Sequence, residues 1–79
     1  MQNTILLIDD DTELTDLIVE FLEPEGFQIH VEHEGESAVK RAINQSYDAI
    51  VLDVMLPKLN GFEVLKAIRE HSSTPVLML

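Results

Sequence analysis

The 79-residue chain contains no cysteine, which excludes disulfides, thiolate metal sites and cysteine nucleophiles outright. Basic residues are scarce: five Lys and Arg stand against fifteen Asp and Glu, for a formal charge of −10. Phosphate backbones and anionic membranes are bound through clustered Lys and Arg. Direct nucleic-acid binding and membrane-surface binding are therefore not expected of this chain. The amino terminus lacks the basic start and apolar stretch of a secretory signal. No apolar run approaches the ~20 residues needed to span a bilayer, so the expected location is the cytoplasm. There is no internal repeat, low-complexity segment or interdomain linker.

What the chain does contain is a folded domain's share of apolar residues, 46%, which argues against disorder. Its length allows one small domain, residues 1–79, burying roughly 60% of its unfolded surface. Strand and helix patterns alternate throughout. Thr4–Ile8 reads as a first strand, followed by a helix from about Thr12 to Glu23 with Asp11 as its cap. Leu14, Leu17, Ile18, Phe21 and Leu22 form its apolar stripe, and Pro24 and Gly26 end it. Phe27–Val31 reads as a second strand. A second helix, about Glu36 to Gln45, turns Ala38, Val39, Ala42 and Ile43 inward. Ala49–Asp53 is the third strand and Val54–Asn60 a loop broken by Pro57. A third helix, about Gly61 to Glu70, has Phe62, Leu65 and Ile68 on its inner face. Pro75 opens a last strand running through Leu79. Such alternation predicts βαβ units and a parallel sheet, with right-handed crossovers bringing all strand carboxyl ends to one rim.

That rim gathers the acidic residues of most interest. Asp9 and Asp10 close the run Ile5-Leu6-Leu7-Ile8, and Asp53 closes Ala49-Ile50-Val51-Leu52. Open α/β sheets place their sites at this edge. Two unit charges about 4 Å apart repel by roughly 1 kcal/mol in bulk water and roughly 4 kcal/mol near a protein surface. A chain that concentrates such repulsion is expected to hold a cation or to shift a pKa. Mg²⁺ prefers oxygen ligands and is commonly held by one or two carboxylates. Asp9, Asp10 and Asp53 can supply them, with a backbone carbonyl from the loop after Asp53. A strand-end carboxylate can also serve as nucleophile toward a phosphoryl group.

The segments Ile5-Leu6-Leu7-Ile8-Asp9-Asp10-Asp11 and Val51-Leu52-Asp53-Val54-Met55-Leu56-Pro57-Lys58-Leu59-Asn60-Gly61 resemble the two signature segments of bacterial response-regulator receiver domains. The resemblance runs from Asn3 to Leu79. It implies a flavodoxin-like, doubly wound parallel sheet with strand order 2-1-3-4, cut after the fourth strand of the family's five. It further implies that Asp53 accepts a phosphoryl group from a partner sensor histidine kinase. Asp10 would bind Mg²⁺ directly, Asp9 mainly through water, and the Met55 carbonyl would be a further ligand. Pro57 and Gly61 match the family's turn into the third helix, where glycine permits a backbone conformation other residues resist. The protein would be a phospho-accepting signalling module, not an enzyme acting on a separate substrate.

The family's Ser or Thr beyond the fourth strand and its Lys at the end of the fifth have no counterpart before Leu79, and Lys58 lies in the wrong place to substitute. The expectation is therefore impaired phosphorylation-driven switching with Mg²⁺ binding retained. Two other readings compete. One is a receiver half-domain without phosphorylation chemistry. In it, Val76-Leu77-Met78-Leu79 is an apolar edge, with a homo-oligomer or strand-exchanged dimer as the expected consequence. The other is a haloacid-dehalogenase-type phosphatase, which Asp9 and Asp11 mimic. It is disfavoured because Glu13 stands where that family wants Thr or Val.

The smaller signals receive plain readings. His30 and His33 are an odd number of residues apart on or beside a strand, so they face opposite ways, and with His71 they read as exposed strand and helix-end residues. Phe21, Phe27 and Phe62 read as core, and Met1, Met55 and Met78 as filler or terminus apart from the Met55 carbonyl. Glu20, Glu23 and Glu25 read as a solvated face.

Overall fold

The computed structural model describes residues 3–79; Met1, read above as a chain-end residue, lies outside the described residues. The elements follow the expected order. Strand β1 spans Asn3–Ile8, helix α1 Thr12–Leu22, β2 Phe27–Glu32, α2 Gly35–Asn44, β3 Ala49–Leu52, α3 Gly61–Arg69 and β4 Val76–Met78. A 3-10 turn, Glu23–Glu25, follows α1 and carries Pro24. Gly26 then takes the left-handed backbone (φ 97°) that glycine adopts without steric cost. Asp11 caps α1 as expected, its carboxylate accepting the Leu14 amide at 3.0 Å. Asn60 does the same for α3 through the Glu63 amide, also at 3.0 Å.

The four strands form one parallel sheet in the order β2-β1-β3-β4. This is the flavodoxin-like, doubly wound arrangement expected from the sequence. The paired rows end together, at Glu32, Ile8, Leu52 and Met78. One residue further along, His33, Asp9, Asp53 and Leu79 therefore stand side by side at the rim. The ladder continues into that row, with the Asp9 amide donating to Glu32 (3.1 Å), Asp53 to Ile8 (2.9 Å) and Leu79 to Leu52 (2.9 Å).

Alternation along the strands sends Leu6, Ile8, Ile50 and Leu52 to the face covered by α2 and α3. There they join Ala38, Ala42, Tyr47, Leu56, Val64 and Ile68 in the core. Val39, Leu65, Val76 and Met78 pack at its margin. The opposite face carries α1.

Several expected core residues are not buried. Phe21 is 75% and Phe62 61% exposed, and Leu14, Leu17 and Ile43 are exposed as well. Helix α1 turns Thr15, 1% exposed, to the sheet, with Ile18 and Leu22 half-buried beside it. Thr15 tolerates this because its hydroxyl donates back to the Thr12 carbonyl at 3.1 Å, leaving no unpaired polar group. In α3 the turn that packs on the sheet presents Val64 and Ile68, so Phe62 lies outside it. Val64 also faces Gly35 at the start of α2, where an added Cβ would stand 2.8 Å from its Cγ2. The two helices thus meet without room for a larger residue.

Candidate functional site

Each of the three aspartates is placed by the backbone immediately before it. Asp9 and Asp53 follow adjacent strands and share one register row, and Asp10 follows Asp9 into the loop. Asp53 stands just past β3 rather than within it. Ligand oxygens of Asp9, Asp10 and Asp53 all lie within 4.8 Å of one another. Asp9 is buried, Asp53 half-buried and Asp10 exposed, so the cluster opens from the sheet edge to solvent.

The electrostatics fit a cation. Burial raises the Asp9 carboxyl above the ordinary aspartate value, and repulsion from Asp53, Asp10 and Asp11 raises it further; the Asp11 amide, donating to Oδ1 at 3.0 Å, works against both. Among the described residues the one ion pair within 4 Å joins Arg41 to Glu32 (2.9 Å), at the other side of β2, so no cationic side chain neutralises the three aspartates. All three donors are hard oxygens, the chemistry that Mg²⁺ selects. One oxygen of each of two carboxylates is already engaged: Asp9 Oδ1 by Asp11, and Asp53 Oδ1 by the Met55 amide at 3.0 Å. That leaves Oδ2 of each available.

The loop after Asp53 is held at three points. Leu56 is buried in the core, which anchors the loop although Met55 beside it is 80% exposed. Lys58 takes the left-handed backbone (φ 66°). Gly61 donates its amide to the Val54 carbonyl at 2.8 Å. A Cβ on Gly61 would collide with the Asp53 carbonyl oxygen and stand 2.7 Å from Val54 Cα. Gly61 is therefore required for close approach, and the expectation of an unusual backbone conformation there is corrected: the positive φ belongs to Lys58. The start of α3 abuts the backbone of Asp53, which fixes that residue from behind.

Three features escaped the sequence reading. A cleft of about 340 Å³ lies between Glu34, Gly35 and Glu36 on one side and Pro57, Lys58 and Leu59 on the other; none of the three aspartates lines it. His33 places Nδ1 2.8 Å from the Asp9 carbonyl oxygen. His30 is half-buried rather than exposed, its Nδ1 2.8 Å from the Tyr47 hydroxyl. Nothing in the local pattern around either histidine signals these contacts, which join residues 17 and 24 apart in the chain.

The family model for the response regulator receiver domain matches residues 5–79. The chain is 53% identical over 77 residues to the transcriptional regulatory protein CpxR of Escherichia coli strain K12, covering 98% of this chain and 33% of that protein. It is 40% identical over 79 residues to the transcriptional regulatory protein SrrA of Staphylococcus aureus, again 33% of that protein. The chain thus spans about a third of the length of the curated relatives it matches. Among solved structures, it superposes on the receiver domain of the sensor histidine kinase PA1611 from Pseudomonas aeruginosa with a TM-score of 0.92. That match has 30% identity and covers 99% of this chain and 66% of that one. The PA1611 structure has a magnesium ion coordinated in its active site cleft. A Francisella response regulator receiver domain matches with a TM-score of 0.91 at 32% identity, covering 98% and 64% of the two chains.

Proposed function

Because the chain belongs to the response regulator receiver domain family, we propose that it accepts a phosphoryl group on Asp53 from a sensor histidine kinase, with Mg²⁺ held by Asp9, Asp10, Asp53 and the Met55 carbonyl. The observation that carries this reading is the convergence of three carboxylates within 4.8 Å with no cationic partner among the described residues. A bound Mg²⁺ supplies charge neutralisation at the phosphoryl oxygens.

The chain's own residues do the rest. The Met55 amide holds Asp53 Oδ1, whose second lone pair would face the ion, and Oδ2 is left as the nucleophile. Oδ2 attacks phosphorus; an O–P bond forms as the P–N bond of a phosphohistidine breaks, and the leaving imidazole takes up a proton. Gly61 packs against the Asp53 backbone and so fixes the residue that carries the carboxylate. Asp9, buried and raised in pKa by its surroundings, favours the site with an ion over the site without one. The kinase need only present its phosphohistidine at the open, Asp10 side of the cluster.

The test is incubation with a small phosphodonor and Mg²⁺, read by intact mass. One added phosphoryl group is expected, absent in Asp53→Asn and without Mg²⁺. No added mass on the unmodified chain, under conditions that label another receiver, would sink the reading.

A second reading, self-association, is favoured by the exposure of Leu77 and Leu79 at about three-fifths each, beside exposed Leu14, Leu17 and Phe21. Light scattering at rising concentration tests it; a monodisperse monomer throughout would count against it.

A further inference from the structure

The row one residue past the paired strands holds His33, Asp9, Asp53 and Leu79. Phosphoryl acceptance uses the two aspartates and leaves His33 without a role. The histidine does not join the carboxylates: the ligand atoms that converge belong to Asp9, Asp10 and Asp53 alone among the described residues. Its ring is turned to the backbone, with Nδ1 2.8 Å from the Asp9 carbonyl oxygen. A carbonyl oxygen only accepts, so Nδ1 carries a proton and donates it, which fixes the tautomer or charge state at that nitrogen.

The same residue is held from its other side. The Asp9 amide donates to the Glu32 carbonyl at 3.1 Å. The end of β2 therefore grips Asp9 twice, through Glu32 at its N–H and through His33 at its C=O. The second grip matters more for geometry, because the Asp9 carbonyl belongs to the peptide that leads into Asp10. Rotation of that peptide plane would swing the exposed Asp10 carboxylate away from Asp53, the direction in which mutual repulsion drives it. A cationic side chain aimed into the cluster would oppose that drift but would cancel the negative charge that a cation needs. A donor to the backbone holds the loop and leaves the charge intact.

We propose that His33 is a positioning residue of the acidic site, its Nδ1–H pinning the Asp9 carbonyl so that Asp10 is set against Asp53 before an ion arrives. The proposal rests on the reading of Asp9, Asp10 and Asp53 as the Mg²⁺ and phosphoryl site.

Three substitutions separate this role from its competitors. His33→Ala removes the pin. His33→Asn keeps an N–H donor near the Nδ1 position and has no counterpart of Nε2. His33→Gln places its amide nearer the Nε2 position. Titration of the chain with Mg²⁺ is expected to show about three- to tenfold weaker binding for His33→Ala, the worth of one hydrogen bond, with most of the loss restored in His33→Asn and not in His33→Gln. Urea midpoints should stay near that of the unsubstituted chain, since His33 is exposed. Equal Mg²⁺ affinity in His33→Ala would overturn the proposal. So would His33→Asn binding as weakly as His33→Ala, because that result assigns the effect to Nε2. The Asp9 carbonyl ¹³C shift in metal-free protein gives an independent reading: it should move in His33→Ala and His33→Gln and hold in His33→Asn. If the unsubstituted chain binds no Mg²⁺, the functional reading fails, and this shift still decides whether the pin exists.

Discussion

The two faces of the sheet are built from the same kinds of residue and reach different ends. On the face of α2 and α3, Leu6, Ile8, Ile50, Leu52, Val64 and Ile68 are each 1% exposed or less. On the face of α1, Leu14, Leu17, Phe21 and Leu77 stand between 40% and 75% exposed. Both α1 and α3 carry an apolar helical stripe, so the presence of a stripe does not separate them. The difference is coverage: two helices pack on one face with glycine-tight contact between them, and one helix lies over the other. The acidic rim straddles this boundary. Its geometry depends on the well-packed side through Leu56, Gly61 and the strand rows.

The sharpest way to break the comparison is to truncate one residue on each face. Ile68→Ala is expected to cost about 3–4 kcal/mol, most of the margin of a small domain at the low end of the usual range, about 5 kcal/mol. Urea denaturation reads it; a cost under about 1 kcal/mol would mean that the covered face is no better packed than the other. Next comes Gly61→Ala, expected to cost about 2 kcal/mol through overpacking against Asp53 and Val54. It should also displace Asp53, so phosphoryl labelling should fall more than stability does.

Asp9→Asn tests the boundary with the opposite sign. Asparagine keeps an acceptor for the Asp11 amide and removes the buried charge, so the metal-free chain should gain about 1 kcal/mol near neutral pH. The pH dependence follows from the raised carboxyl. The unfolded Asp9 titrates near its ordinary value of 3.8, the folded one above it. Between the two values the folded state holds the extra proton, so stability contributed by this group is full below the lower value and is lost as pH rises through the upper one. The gain of Asp9→Asn should therefore open across that window and stay level above it. Adding Mg²⁺ should close the gap by favouring the ionised wild-type residue. A gain that is independent of pH would refute this cause. The smallest expected effect is Phe21→Ser, within about 0.5 kcal/mol, with reduced self-association as its visible consequence in light scattering.

The element order and the three aspartates were legible in the sequence because each depends on local signals, and the strand order was legible only through the resemblance to the receiver family. Alternating apolar runs gave the strands, Asp11 and the Pro24–Gly26 turn bracketed α1, and carboxylates at two strand ends implied a shared rim once the crossovers were right-handed. What was not legible depends on neighbours. Thr15 is buried and Phe21 exposed because α1 meets the sheet along Thr15, Ile18 and Leu22 rather than along Leu14, Leu17 and Phe21, a rotation about the helix axis that the local pattern does not set. Phe62 and Val64 lie two residues apart in α3, and only the approach of Gly35 selects Val64. Leu56 sits in a loop with no periodicity to mark it as core. His33 meets Asp9 across two paired strands, a contact between residues 24 apart that no local pattern encodes.

The common ending of the strand rows turns the sheet into a ruler. The acidic cluster exists because β1 and β3 are counted off to the same mark, Ile8 opposite Leu52. Along a strand, one added residue advances the chain by about 3.3 Å and reverses the side on which every later side chain emerges. An insertion within β3 would thus do more than push Asp53 outward; it would face the carboxylate away from Asp9. The same insertion in the turn at Ser72–Pro75, upstream of β4, leaves that count untouched. Length variation in such a chain is therefore affordable in its turns and forbidden in its strands, and the site is specified as much by arithmetic as by the identity of its acids.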